Sequence, residues 1–267
     1  IRQIQNVSAA LAPYGLQQGR DYTILENARK LVQGVDFTFN AQLGFITLNR
    51  RLVDSDVLAV AYEYTDGQNV YQVGELSGDG IIAPDNLVVK LLQAEIITTS
   101  IPLWDLMMKN VYEIPGAFQL QEPNFRLEVM YNDDATGVPV NILQNAKTPS
   151  VQNKTLLNVL RLDRLDQNDN LLEKGDGFFD YIENITMNSQ QGYMIFPTVE
   201  PVGSYLDDIL DPDDDIFVFN ELYDRTQMEA QTQFQNKDKY LFKGYFKSDG
   251  KNGIPLGAFN VPRGSVR

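Results

Sequence analysis

The sequence of 267 residues contains no histidine and no cysteine. Without histidine it lacks the usual general base, the Ser-His and Cys-His nucleophile pairs, and the common nitrogen ligand of zinc. Without cysteine it forms no disulfide and no thiolate metal site, although this does not fix the compartment, because an extracytoplasmic bacterial protein can be free of cysteine. No apolar run approaches the roughly 20 residues of a membrane-spanning helix.

The charge balance is strongly acidic, with 22 basic and 36 acidic residues and a net charge of −14. Such a field repels nucleic acid and anionic lipid, so we expect no nucleic-acid partner and look to cations and basic surfaces instead. The apolar fraction of 43% is typical of a globular protein. The sequence begins at Ile1 and stops within FNVPRGSVR, and we interpret it as a piece of a longer polypeptide.

Strand patterns dominate the first part of the chain. Residues 36–49 and 57–65 are predicted strands, and LQQGRDYTI (16–24) shares with LVQGVDFTF (31–39) a glycine that allows a tight turn before a strand. The polar, glycine-rich stretch 66–86 predicts a linker or a long loop. We therefore divide the chain into a β-rich subdomain with G-x-D-aromatic-T units, 1–80, and an α+β subdomain, 81–267, with a single domain as the alternative.

The second part mixes helix and strand signals. Residues 98–116 predict a helix that Ser100 caps and Pro115-Gly116 ends, with its tryptophan and methionines in a core. A polar surface helix is predicted over 221–240, and 155–166 is ambiguous between helix and strand. Further strands are predicted over 123–134, 193–201 and 239–249. The whole is expected to be α+β with more strand than helix.

The acidic stretch DRLDQNDNLLEKGDGFFD (163–180) resembles a calcium-binding loop. Aligned from Asp166, it has Leu171 where an EF-hand needs its sixth-position glycine and Gly177 where it needs its twelfth-position glutamate. A looser calcium site is one interpretation, and a solvated turn that positions the buried side chains of 178–182 is the favoured one. The candidate calcium ligands are Asp163, Asp166, Asn168, Asn170, Asp176 and Asp180.

A second acidic cluster, YLDDILDPDDDIF (205–217), is interpreted as an exposed loop in preference to a metal site. Carboxylates alone can catalyse glycoside hydrolysis, but 36 acidic residues do not identify a pair. The sequence has no phosphate-binding P-loop and no G-x-S-x-G nucleophile motif. We therefore predict that the protein is not an enzyme and requires no cofactor, with calcium as the one candidate ion.

Nine phrases in this order resemble the SprA/Sov family of Bacteroidetes. They are LGFITLN (43–49), LAVAYEYT (58–65), YQVGE (71–75), PLWDLMMKNVY (102–112), LDRLD (162–166), DGFFDYIE (176–183), IFPTVEPVGS (195–204), ELYDRT (221–226) and FKGYFKS (242–248). The family consists of very large outer-membrane β-barrel proteins of the type IX secretion system, also tied to gliding motility. The resemblance implies a segment of a translocon whose partners are other secretion-system subunits and exported cargo proteins.

This segment departs from the pattern of a barrel wall, which needs alternating strands of ~10 residues flanked by aromatic girdles. We therefore expect a soluble, β-rich α+β domain with small antiparallel β modules and a few short helices, inserted in or adjoining the barrel. The full-length protein would lie in the outer membrane, with this segment at the cell surface or in the periplasm. The alternative is a calcium-stabilised adhesion or glycan-binding module, suggested by the acidic clusters and by 13 Tyr, 14 Phe and 1 Trp.

Overall fold

The computed structural model describes residues 1–246 except 42, 51, 54, 234–236 and 238, together with 254–255 and 259–260. By the density of its internal contacts the chain divides into two compact units, Ile1–Met107 and the residues from Met108 onward. Compactness alone does not define an independently folding domain, so the boundary near residue 80 stays a prediction. Among the described residues, no helix is long and apolar enough to cross a bilayer.

The fold is α+β and rich in strands, as predicted, with small antiparallel sheets and a few short helices. The strands described are β1 Phe37–Asn40, β2 Phe45–Leu48, β3 Leu58–Val60, β4 Tyr62–Thr65, β5 Val70–Val73, β6 Lys90–Gln93, β7 Val111–Glu113, β8 Arg126–Asn132, β9 Pro139–Val140, β10 Met187–Asn188, β11 Tyr193–Ile195, β12 Tyr240–Phe246, β13 Ile254–Pro255 and β14 Phe259–Asn260. The α-helices described are α1 Val7–Leu11, α2 Leu156–Val159, α3 Ser204–Ile209 and α4 Gln227–Gln233.

Two-stranded antiparallel sheets make up the first unit. They are β1 with β2, β3 with β6, and β4 with β5. The single strand predicted over 57–65 is wrong, because the chain breaks at Ala61 and its two halves pair in different sheets, Val60 with Lys90 and Tyr62 with Val73. The prediction of a linker or long loop over 66–86 is also wrong in part, since β5 lies within it.

The first unit buries few of its residues. Of those described between 1 and 107, only Gly19 and Ala94 are buried. Large apolar side chains remain exposed throughout it, among them Val35 at 69%, Val70 at 73% and Ile82 at 77%. This unit therefore has little hydrophobic core of its own. Its sheets gain little stability from pairing alone, because an isolated two-stranded sheet is at best marginally stable in water.

The second unit contains the hydrophobic core. β12 pairs with β8 along its length, and alternate residues of β8 point inward, so that Leu127, Val129 and Tyr131 are buried while Arg126 and Glu128 are exposed. A second sheet has the order β10-β11-β7. The Tyr112 ring of β7 makes edge contacts with Phe242 of β12, with ring centroids 5.7 Å apart, and this contact packs the two sheets together.

The helix predicted over 98–116 is wrong. Only Trp104–Leu106 form a helical turn, of the 3-10 type, and Val111–Glu113 form β7. The strand is favoured because Tyr112 pairs with Met194 and is buried to 2% exposure. Trp104, Met107 and Met108 are partly exposed rather than members of the core. Tertiary pairing has overridden the local capping signals.

The other helix prediction is right in kind and too long. Residues 221–240 contain α4, Gln227–Gln233, and the last described residue of that stretch, Tyr240, begins β12. Residues 234–236 and 238 lie outside the described residues. The ambiguous stretch 155–166 starts as α2, whose cap is Thr155, with its side chain accepting from Asn158 N at 3.3 Å. The strands predicted over 36–49, 123–134 and 193–201 are confirmed as β1–β2, β8 and β11, and β12 confirms the described part of 239–249.

We expect Gly192→Ala to lower the free energy of unfolding by about 3 kcal/mol, because a Cβ there would overlap the Ala117 carbonyl oxygen and the residue sits at φ 70°. Gly137→Ala is the matched control, since Gly137 has φ 65° but open space around its Cβ position, and it should cost only about 1 kcal/mol. Urea unfolding followed by circular dichroism measures both. Equal losses would show that backbone strain alone determines the cost.

Candidate functional site

The two glycine units predicted in the first unit form the same turn. Gly19 N donates to Tyr22 O at 2.7 Å, and Gly34 N donates to Phe37 O at 2.8 Å. In each turn an aspartate follows the glycine by two residues. Its carboxylate accepts a hydrogen bond from the backbone N–H of the residue four positions before the aspartate. Asp21 takes Gln17 N at 2.8 Å and Asp36 takes Val32 N at 2.9 Å.

These bonds lower the pKa of both carboxyls below the ordinary value. For Asp21 the largest cause is the hydrogen bond from the Arg20 side chain, followed by the bond from Gln17 N. For Asp36 it is the bond from Val32 N, with Arg29 adding to it. The aspartate of the unit is therefore an acceptor that closes the turn in its ionised form.

A third copy of the turn lies in the second unit, where the sequence did not predict it. Asn184 takes the place of the glycine at φ 62°, and its N–H donates to Met187 O at 2.7 Å. Thr186 takes the place of the aspartate, and its Oγ1 accepts from Ile182 N at 2.9 Å. This third copy does not share the glycine and aspartate of the other two, but its residues can do the same work. Asparagine tolerates the left-handed conformation, and the threonine hydroxyl can accept the same hydrogen bond.

The acidic loop 163–180 is closed by a reciprocal pair of carboxylates. Asp163, at its start, accepts from Asp176 N at 2.9 Å and from Gly177 N at 3.1 Å. Asp180, at its end, accepts from Arg164 N at 2.6 Å and from Leu165 N at 3.2 Å. Each end of the loop thus binds the backbone of the other, and the chain is held there as a closed turn.

Burial raises the pKa of both carboxyls above the ordinary value, and the backbone donors only partly offset it. The charges of Asp176 and Asp180 add to the rise for Asp163, which is 1% exposed. These three carboxylates are therefore close enough to repel one another. The other three predicted ligands form a separate turn at the tip, where Asp166 accepts from Asn168 N at 2.8 Å and from Asn170 N at 3.0 Å.

A shallow hollow of about 310 Å³ opens beside this loop. Its lining residues include Asp163 and two lysines, Lys154 and Lys174, so residues of both charges surround it. Within the described parts of the chain, no group of three or more acidic side chains is arranged to hold a metal ion. The calcium site of 163–180 stays a prediction.

The aromatic residues at the end of the loop and directly after it are less buried than predicted. Phe178 is 41% exposed and lies under the Arg126 guanidinium, which is 4.7 Å from its ring centroid. Phe179 and Tyr181 are partly buried and pack on Phe125, each with a centroid separation of 5.4 Å. The interpretation of 163–180 as a polar turn that positions an aromatic segment agrees with these contacts. The predicted burial is only partial, since Phe179, Tyr181 and Ile182 are partly buried and Phe178 is exposed.

The second acidic cluster is not simply the exposed loop that the sequence predicted. It forms α3 and a 3-10 helix, Pro212–Phe217, and Asp214 within it is 2% exposed. The Asp214 carboxylate accepts from Thr148 Oγ1 at 2.6 Å, from Thr148 N at 2.8 Å and from Lys147 N at 2.9 Å. Burial alone would raise the pKa of Asp214, but these bonds outweigh it and the pKa lies below the ordinary value.

A buried ion pair that the sequence did not predict joins Lys109, near the start of the second unit, to Glu200. Lys109 Nζ is 2.7 Å from Glu200 Oε1, and the lysine side chain is only 4% exposed. Nearby, the Tyr112 and Tyr223 hydroxyls are 3.2 Å apart, and Tyr223 OH accepts from Val202 N at 3.2 Å. Lys109 is one of 22 basic residues in the sequence, with no local pattern to mark it as buried.

An exposed row of tyrosines distinguishes the β4–β5 hairpin, residues 62–73, which we call the tyrosine hairpin. Tyr62, Tyr64 and Tyr71 are 45%, 50% and 41% exposed. Ring centroids of Tyr62 and Tyr64 are 6.1 Å apart, and those of Tyr64 and Tyr71 are 5.0 Å apart at an interplanar angle of 20°. The sequence predicted Tyr62 and Tyr64 on one face of a strand but placed Tyr71 in a linker or long loop, and it gave no sign that the three rings are exposed together.

Asp66 fixes the turn of the tyrosine hairpin. Its carboxylate accepts from Asn69 N at 2.8 Å, from Gln68 N at 2.9 Å and from Tyr71 OH at 3.1 Å. The backbone donors of Asn69 and Gln68 are the main cause that lowers the pKa of Asp66 to about 2. The turn is therefore held by an ionised acceptor at neutral pH, and Tyr71 is tied to it.

No protein-family model matches this chain, and no curated protein matches it. The residues and their geometry are therefore the basis for the function proposed below.

We expect Asp214→Asn to lower the free energy of unfolding by about 3 kcal/mol at pH 7, because an amide presents its own N–H groups to buried donors. Asp213→Asn is the matched control. Asp213 is 68% exposed and pairs with Lys147, so its loss should cost less than about 0.5 kcal/mol.

The contribution of Asp214 to stability should also depend on pH. Because the folded pKa of Asp214 is lowered, this contribution should be complete above the ordinary carboxyl pKa of about 4 and disappear as the pH falls through the lower folded value. Urea titrations of the wild type and both variants at a series of pH values measure this. A difference between wild type and Asp214→Asn that stayed constant down to about pH 2 would contradict it.

We expect millimolar calcium to raise the melting temperature by less than about 1 °C, because the oxygens of Asp163 and Asp180 are already used by backbone donors. Differential scanning calorimetry with calcium, with magnesium and with chelator measures the shift. A rise of about 4 °C or more that chelator reverses, and that Asp163→Asn abolishes, would establish the calcium site instead.

Proposed function

We propose that this chain is a structural and interaction segment of the outer-membrane translocon of the type IX secretion system, similar to the SprA/Sov proteins. It would shape or cap the pore, or dock partner subunits, during protein export and gliding motility. The observation that carries the proposal is the series of nine family-like phrases, which runs in order from residue 43 to residue 248. In this proposal the segment is a soluble domain inserted in or adjoining the barrel, at the cell surface or in the periplasm.

The scarcity of buried residues in the first unit supports an interaction role. Among the described residues of this unit only Gly19 and Ala94 are buried, and many of its large apolar side chains are exposed to water. Exposed apolar surface of this extent is typical of a protein that packs against something else. Small sheets with open edges suit a segment that is completed by neighbouring parts of a large assembly.

The use of carboxylates supports a role without catalysis. Asp163, Asp180 and Asp214 each accept backbone N–H groups and thereby hold loops in place. The rest of the net charge of −14 gives an acidic field. Such a field would repel acidic cargo and favour weak, salt-sensitive contacts with basic surfaces of other subunits.

A calcium-stabilised adhesion or glycan-binding module is the second candidate. Two observations favour it, the raised pKa of the Asp163 and Asp180 carboxyls and the exposed row of tyrosines. A cation would offset the repulsion of the carboxylates, and exposed aromatic rings can stack on sugars. Tyr64 and Tyr71, however, stack on each other, so one face of each ring is covered by the other ring and is closed to a sugar.

In the organism that encodes the chain, we expect deletion of the gene segment for this chain to abolish export of proteins that share a common C-terminal signal. Mass spectrometry of the culture medium and cell surface would measure the loss. The matched control inserts an epitope between Gly137 and Val138, in the exposed β8–β9 turn, and should leave export normal. Antibody access to that epitope, with and without opening of the outer membrane, reports the side of the membrane. Normal export by the deletion strain would overturn the proposal.

A further inference from the structure

The tyrosine hairpin is open along both edges. β4 and β5 form a two-stranded sheet, and in the described part of the chain no third strand pairs with either of them. All four residues of β4 are exposed, as are Val70, Tyr71 and Gln72 of β5. Unpaired edges of this kind accept an additional strand, which is how many proteins bind extended peptides.

The register of the hairpin identifies the groups that β4 directs outward. Asp66 N donates to Asn69 O at 3.3 Å at the turn, and Tyr64 lies opposite Tyr71. In an antiparallel ladder, hydrogen-bonded and non-hydrogen-bonded pairs alternate. The pairs of Tyr64 and Tyr62 are therefore bonded within the hairpin, and the N–H and C=O groups of Glu63 and Thr65 point to the outer edge.

The two faces of β4 differ in chemistry. Tyr62 and Tyr64 share one face with Tyr71, and Glu63 and Thr65 lie on the other, because successive side chains alternate across a strand. The Glu63 carboxylate has no hydrogen bond or ion pair with another described residue. A strand added beside β4 would place alternate side chains over the tyrosines and the intervening ones beside Glu63.

The stretch of sequence that contains the hairpin is acidic, and basic residues from outside it lie nearby, since Lys30 Nζ donates to Ser77 Oγ at 3.0 Å and Lys90 pairs with Val60. Residues 52–89 contain seven acidic residues and no lysine or arginine. Arg2, from outside this stretch, is paired with Glu75, its Nη1 lying 2.8 Å from Glu75 Oε2. The local field thus favours a positively charged partner over a second copy of this acidic chain.

We propose that the outer edge of β4 binds an extended polypeptide segment in which apolar and basic residues alternate, by adding it to the hairpin as a third strand. The apolar side chains would cover Tyr62 and Tyr64, and the basic ones would face Glu63. This names a docking site for the partner subunits or cargo of the function proposed above, and in that sense it rests on that proposal. The competing interpretation is that Glu63 is a charge that protects an open edge from pairing.

The test uses the whole chain and dye-labelled peptides of about eight residues, with fluorescence anisotropy as the readout. Alternating Lys-Val should bind saturably, and a block peptide of four Lys followed by four Val should bind about 10-fold more weakly or worse, since only alternation matches the two faces of a strand. Alternating Glu-Val should not bind. Raising the salt from about 50 mM to about 500 mM should weaken the alternating Lys-Val peptide about 10-fold.

Matched variants locate the site. Glu63→Lys and Tyr64→Ala should each weaken binding about 10-fold. Glu26→Lys and Tyr14→Ala make the same changes at exposed positions elsewhere in the first unit and should stay within about 2-fold. Because Tyr64→Ala can disturb the hairpin itself, an alternating Lys-Val peptide that is methylated at every backbone nitrogen is tested on the unaltered protein. It keeps the side chains but cannot donate to the edge, and it should not bind.

Equal binding of the block or N-methylated peptide would overturn strand addition, and an equal loss in Glu26→Lys would overturn the location. Absence of any peptide binding would leave Glu63 as an edge-protecting charge. Loss of export in the deletion strain together with no peptide binding would remove only the docking site. Peptide binding together with normal export in that strain would remove only the translocon role.

Discussion

Aspartate carboxylates that accept backbone N–H groups hold the loops of this protein in place. Asp21, Asp36 and Asp66 do so in the first unit, and Asp163, Asp180 and Asp214 in the second. A chain with short strands and many turns has many backbone donors outside regular structure, and each must find an acceptor if it is buried. In this chain, without cysteine and so without disulfides, those acceptors are among the groups that fix the turns.

The two units achieve their structure by different means. The second unit has a core in which the Tyr112 ring meets Phe196 and Phe242 edge to face, and the buried carboxylate of Asp214 is hydrogen-bonded within this unit. The first unit repeats small turns and hairpins around very little buried surface. Its stability must therefore come mainly from local hydrogen bonds, which contribute only about 1 kcal/mol each. A unit of this kind gains most from a partner that covers its apolar side chains.

Local alternation predicted some of the strands, because a period of two is visible in four or five residues. It identified β1, β2, β8, β11 and β12, and the glycine turn at Gly34 that precedes β1. The turn at Gly19 also forms, but an isolated bridge between Gln18 and Tyr22 stands where a strand was predicted. It failed where partners far along the chain decide the outcome. The caps around 98–116 specified a helix, but the pairing of β7 with β11 required a strand. Ala61 divides one apolar run between two sheets, and no local signal marks that break.

For the candidate sites, the acidic stretches could be located from the sequence. Which carboxylate is buried, and which backbone groups it binds, could not. Six aspartates in 205–217 look alike in composition, and only folding makes Asp214 the one that closes on Thr148. The same holds for Asp163 and Asp180, whose reciprocal bonds join residues up to 16 positions apart. The exposure of the tyrosine hairpin was equally invisible, because the same alternation describes a strand with a covered face and one with an open face.

The recurrence of one turn with two different acceptors makes its three copies respond differently to acid. Asp21 and Asp36 close their turns most strongly while ionised, because protonation would convert one carboxylate oxygen of each into a donor and weaken the other as an acceptor. Thr186 closes the equivalent turn with a hydroxyl, which does not titrate. Acidification would therefore loosen the turns of the first unit while the third turn, next to the hydrophobic core, keeps its shape. The same backbone geometry is thus protonation-sensitive in one half of the chain and indifferent to protonation in the other.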